Sequence, residues 1–256
     1  MTSRSDQDKP LGNEAESASK PLGSSLAFKA FLWLSVALGV GLLLAALLGA
    51  VDEASAGWLL LTILAGLTSS LGVRLPIGRS GAGGIAATLA DCFTMLAMLL
   101  FGWKAAVLAT AADGLAASLR FGTKSPMRIA FNIAQMCLTT FLTAQLFWSL
   151  HGGGHPLEFS WPTLGSTLAL LLIAIAFSFA FNSAMISTAI GLHSGVAPGE
   201  LARSHLVKLS PMSLAALAAA VAIWSPLPRP VALPLAVALL TLGWAYARWV
   251  RSSLAA

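Results

Sequence analysis

The chain has 256 residues, of which 57% are hydrophobic and 10% charged, with a mean hydropathy of +0.82. A water-soluble domain of that composition would expose large apolar patches, so the sequence reads as a polytopic membrane protein. Its formal charge of +5 does not point to nucleic acid, because there is no basic run and no aromatic stacking platform; basic residues of membrane proteins gather at cytoplasmic helix ends.

Residues 1–25 are polar, rich in Ser, Pro and Gly, and carry both charge signs without an apolar run. They read as a disordered cytosolic tail rather than a signal peptide, since the hydrophobic stretch that follows is too long and lacks a cleavage site. Residues 26–256 read as a single transmembrane helical domain. Its apolar runs lie at about 27–50, 57–73, 86–101, 104–119, 129–150, 164–191, 211–224 and 231–249, which predicts an all-α membrane bundle of about eight helices. The third, fourth and seventh runs are short, so six or seven full spans is the alternative. Only Gly102 and Trp103 separate the third from the fourth, the spacing of a tight antiparallel helical hairpin.

Charge gives an independent test of that map. With the N-terminus inside, 13 of the 15 Lys and Arg fall in cytoplasmic segments, and only Lys104 and Arg229 do not. The loops holding Asp52 with Glu53, and His151 to Glu158, carry neither Lys nor Arg. The positive-inside rule therefore places both termini in the cytoplasm.

Within this map polar residues converge at one depth. Asp91 lies a turn or two into the third run, and Asp113 a similar distance before the end of the fourth. A carboxylate at the centre of a membrane helix costs about 2.5–3.5 kcal/mol on insertion scales, so each needs partners. Arg74, Arg79, Arg120 and Arg128 rim the same level, and Arg120, Arg128 and Arg74 are the chief expected ion-pair partners. Arg128, Asn132, Gln135 and Thr139 share one face of the fifth run, and Ser178 and Asn182 one face of the sixth. The cluster Asp91, Asp113, Arg120, Arg128, Asn132, Gln135, Asn182 and Arg74 reads as glue between helices, as a ligand or coupling site, or as a proton or ion path, the last disfavoured by the supply of arginines.

Other motifs carry less chemistry. Gly81, Gly83 and Ala86 match a G-x-G-x-x-A spacing, but no strand is expected before them, so residues 74–89 read as a close-packed or re-entrant glycine loop. A loop flanked by Arg74 and Arg79 and leading into a helix N-terminus could hold an anion. His151 and His155 stand either side of three glycines that forbid the helix a zinc pair would need, leaving a flexible external loop. The stretch from Leu192 to Ser210 reads as a short amphipathic surface helix. Cys92 and Cys137 lie in apolar runs and read as buried packing, with neither a disulfide nor a metal. Trp148, Trp161, Trp224, Trp244 and Trp249 lie near run ends, as interfacial anchors do. There is no nucleophile elbow, P-loop or zinc-ligand cluster, so the sequence reads as neither an enzyme nor a cofactor protein.

The order RLP (74–76), ADCFTMLAMLLFG (90–102), ADGLAASLR (112–120), RIAFNIAQ (128–135), FSFAFNSAMIS (177–187) and KLSP (208–211) resembles the multi-helix membrane sensor regions of bacterial signalling proteins, the MASE-like type. Those regions usually precede a diguanylate cyclase, an HD-type phosphodiesterase or a histidine kinase. The resemblance implies a protein of the bacterial inner membrane that senses a ligand or membrane state and passes it to a cytoplasmic signalling enzyme or kinase. It assigns Asp91, Asp113, Arg120, Arg128, Asn132 and Asn182 to the matching positions. Two departures stand out: Gly102 is followed by Trp103 where a Gly-Pro is expected, and the chain ends at RWVRSSLAA, which leaves no output domain and requires a separate partner. The bundle is also similar to the substrate-binding membrane subunits of vitamin importers, the alternative reading. No cofactor is implied; the lipid bilayer is the first partner, nucleic acid is not one, and a homo-oligomer is left open.

Overall fold

The computed structural model describes residues 26–53, 55–70, 72–77, 83–87, 89–121, 125–152, 162–194 and 213–253, with backbone alone at 51–53, 73–77, 83–87, 194 and 251. Eight helices are present among these residues. They are α1 Leu26–Glu53, α2 Ala56–Ser69, α3 Asp91–Phe101, α4 Trp103–Arg120, α5 Pro126–His151, α6 Leu164–Ser194, α7 Ser213–Trp224 and α8 Arg229–Ser253. The helical bundle is the expected one, and four helices, α1, α5, α6 and α8, are long and apolar enough to cross a membrane.

The remaining helices qualify the expectation of about eight spans. At 1.5 Å per residue, the 14 residues of α2 and the 11 of α3 reach about 21 and 16 Å, well short of the roughly 30 Å hydrocarbon core. Helix α7 is of the same short class. The third apolar run begins too early: residues 86 and 87 belong to a strand, and α3 starts only at Asp91.

Between α2 and α3 the chain forms an antiparallel hairpin, β1 Val73–Ile77 and β2 Gly83–Ala87, in which Arg74 opposes Ala86 and Ile77 opposes Gly83. This replaces the expected glycine loop. Small apolar residues and glycine extend the hydropathy signal of α3 backward, but pairing across the hairpin satisfies the backbone groups that irregular chain would leave open. Strand β1 packs on α8, and Leu89 joins Trp244, Tyr246, Ala247 and Val250 in a small apolar cluster beside it.

Gly102 makes the α3–α4 turn possible. Its φ of 83° lies in the left-handed region, where a side chain is strained, and its N–H bonds to the Met98 carbonyl at 3.1 Å. Helices α4 and α5 then pack side by side, with Trp103 edge-on to Phe141 at 5.1 Å and Ala46, Val107 and Cys137 buried where α1 joins them. Both cysteines are free and buried, as packing residues should be.

The tightest crossing is between α1 and α5. A Cβ at Gly39 would stand 2.4 Å from both Cα and Cβ of Ala134, closer than any real contact. Because the obstruction is backbone, it cannot swing aside. Gly39→Ala should therefore cost about 1–2 kcal/mol in reversible unfolding from mixed micelles, whereas Gly41→Ala, with nothing within 4 Å, should cost nothing measurable.

Candidate functional site

The turn at Gly102 sets the register of everything below it. Thr94 and Thr110 lie equally far from it along α3 and α4, and the Thr110 hydroxyl donates to Thr94 Oγ1 at 3.4 Å. Asp91 and Asp113 are likewise equidistant from Gly102, about 16 Å from the turn by helical rise. Thr110 also shares a 2.9 Å hydroxyl–hydroxyl bond with Thr140, which carries the same level across to α5.

Each aspartate is held by a serine from a short helix. Asp91 stands in the first turn of α3, where the positive end of the helix dipole favours a carboxylate. Its Oδ2 accepts a hydrogen bond from Ser213 Oγ at 2.8 Å, the first residue of α7. Asp113 is 3% exposed, and its Oδ1 accepts a hydrogen bond from Ser69 Oγ at the last residue of α2. The layer therefore forms where α2 ends and where α3 and α7 begin.

The serines add partners that the sequence did not single out. Arg120 and Arg128 are both exposed, and the hydrogen bonds described at the carboxylates come from serine hydroxyls. The side chain of Arg74 is outside the described residues. A hydroxyl group is short and uncharged, so it follows a carboxylate into a tightly packed interior, where a guanidinium would have to be desolvated as well. The N-terminus of α3, where the loop flanked by Arg74 and Arg79 could hold an anion, carries Asp91 in its first turn.

Of the other predicted residues, Gln135 is 4% exposed on α5 and Asn132 half-buried one turn before it. Asn182 is half-buried on α6. The buried Gln135 Oε1 and Asn182 Oδ1 have no hydrogen-bond partner. His151 ends α5 against Phe147 and Trp148, at ring distances of 5.6 and 5.8 Å, while His155 lies outside the described residues, as do the amphipathic stretch 195–210 and Trp161. Among the described residues no group of three or more His, Cys, Asp or Glu could hold a metal.

Ser69, Thr94, Thr110, Thr140 and Ser213 were not legible as site residues, because single hydroxyls are common in membrane helices. One signal was present: the two symmetric pairs about Gly102, threonine with threonine and aspartate with aspartate. Thr110→Val should cost about 1 kcal/mol, two interhelical bonds at about 0.6 each, with Thr94→Val costing less; unfolding in mixed micelles reads the difference. The layer offers carboxylates hydrogen-bonded by hydroxyls, groups that can bind a ligand or couple one helix to another. No protein-family model, curated protein or solved structure matches the chain, so the site rests on its own geometry.

Proposed function

We propose that this chain is an integral membrane sensor of the bacterial inner membrane, with both termini cytoplasmic, that registers a ligand or membrane state at the polar layer and passes it to a cytoplasmic signalling enzyme or kinase. The observation that carries the reading is the pair of serine–aspartate links, Ser213 to Asp91 and Ser69 to Asp113. They tie the free ends of short helices, which can shift without dragging a full span across the bilayer. The order of motifs from Arg74 to Pro211 supports the same reading by resemblance. Asp91, Asp113, Gln135 and Asn182 form its sensing layer, and Arg120 and Arg128 belong to its exposed output rim.

Photocrosslinkers at Arg128 and His193, both exposed, test it. Capture of a kinase or a cyclic-dinucleotide enzyme supports the sensor. Helices that begin within the bundle are also how membrane transporters hold substrates, which favours an importer subunit as the second reading. Capture of a cytosolic ATPase together with a second membrane subunit would establish that one, and capture of neither class overturns the sensor.

A further inference from the structure

Helices α5 and α6 carry buried polar atoms that the serine–aspartate layer does not use. Gln135 Oε1 and Thr143 Oγ1 on α5, with Asn182 Oδ1 and Ser187 Oγ on α6, have no hydrogen-bond partner. Gln135, Thr143 and Ser187 are 4%, 2% and 1% exposed. A buried polar group without a partner costs about 1–3 kcal/mol, and more where no water competes, so four of them on two packed helices require a cause.

Their placement follows from three contacts. The start of α1 touches the start of α5 through Phe31 and Phe131 and the end of α6 through Phe28 and His193, so α5 and α6 run antiparallel. Toward the other end, Ala144 and Phe147 of α5 share one buried cluster with Leu171, Ala174 and Ile175 of α6. From there Gln135 lies about 14–18 Å and Asn182 about 11–17 Å further along, at 1.5 Å per residue, and hence at similar depth. Around α5, Ala134 points to Gly39 of α1, and Ile133 and Met136 to Gly114 of α4. Gln135 falls on the remaining face, toward α6, whereas Thr143, seven residues after Met136, lies nearer the side turned to α4.

We propose that the α5–α6 seam, centred on Gln135 and Asn182, is a binding site for a small uncharged molecule that presents N–H or O–H donors, entered from the end where Phe28 meets His193. The apolar cluster of Phe147, Leu171 and Ile175 closes the opposite end. Carboxamide oxygens accept from N–H or O–H, and hydroxyls both donate and accept, which suits an amide-like edge. A charged ligand fits poorly: it would have to be desolvated in a seam whose unpartnered groups are neutral amide and hydroxyl oxygens, and the amide oxygens repel an anion. The site names the ligand class of the proposed sensor; only the meaning of binding rests on that reading.

The test uses the full chain in lipid nanodiscs, with Cys92→Ala and Cys137→Ala as background. Ser187→Cys should react with a water-soluble maleimide, Ala174→Cys in the dry cluster should not, and nicotinamide or uracil should slow labelling at Ser187→Cys several-fold, whereas nicotinate should not. Gln135→Met should raise the melting temperature by about 2–4 °C while abolishing that protection, because it removes an unpartnered group. Three results overturn the proposal: no labelling at Ser187→Cys, equal labelling with and without the neutral probes, or a lower melting temperature for Gln135→Met, as interhelical glue requires. Partner capture is a separate readout, so failure of this site and failure of the sensor reading are distinguishable.

Discussion

Asp113→Ala is expected to lower the stability of the bundle by about 3 kcal/mol, and Asp113→Asn by only about 1. The argument turns on what is left behind. Removing the carboxylate relieves its own desolvation, but it orphans Ser69 Oγ in a site that is 0% exposed and leaves a small cavity beside it. Asparagine keeps an acceptor within reach of the same hydroxyl. Ser69→Ala combined with Asp113→Ala should recover part of the loss, since neither partner then remains unpaired. Reversible unfolding in mixed micelles gives all four stabilities; an Asp113→Ala chain as stable as the parent means that Ser69 does not hold the carboxylate.

Asp91→Lys should be still more damaging, at about 3 kcal/mol or more. It breaks the bond from Ser213, reverses a favourable charge–dipole contact in the first turn of α3, and buries an ammonium group inside the bundle. Ser213→Ala, which removes only the hydroxyl, should cost about 1–2 kcal/mol, and Asp91→Asn a similar amount. The same unfolding series separates the contributions. A lysine as well tolerated as asparagine would mean that position 91 faces water or an anion rather than the bundle.

The long helices were legible because hydrophobic runs of span length have few other uses. Helices α1, α5, α6 and α8 match their apolar runs to within a few residues. What periodicity could not separate was the hairpin from the start of α3: residues 83–90, GGIAATLA, are largely apolar and carry no charge, and the hydropathy of such a run suits a strand as well as a helix. The polar layer was legible in its carboxylates and carboxamides, which are too costly to retain in a membrane without a role. Its hydrogen-bond partners were not. Ser69 is 44 residues from Asp113 and Ser213 is 122 from Asp91, and at such separations only the packing of α2 on α4, and of α7 on α3, selects one serine among many. Arginine was the expected partner because charge balance is visible in a sequence, whereas the end of a short helix inside the bundle is not.

Ser69, Asp91, Asp113 and Ser213, from four helices, meet at one level inside the bundle. Nitroxide labels placed singly at Ser69→Cys, Asp91→Cys, Asp113→Cys and Ser213→Cys, in a background lacking Cys92 and Cys137 and reconstituted in bilayers, measure both depth and contact with lipid-dissolved oxygen. The account predicts four depths agreeing to within about one helical turn, 5.4 Å, with little collision with oxygen at any of them. Depths of Asp91 and Asp113 differing by more than a turn, or strong oxygen contact at either, would contradict it.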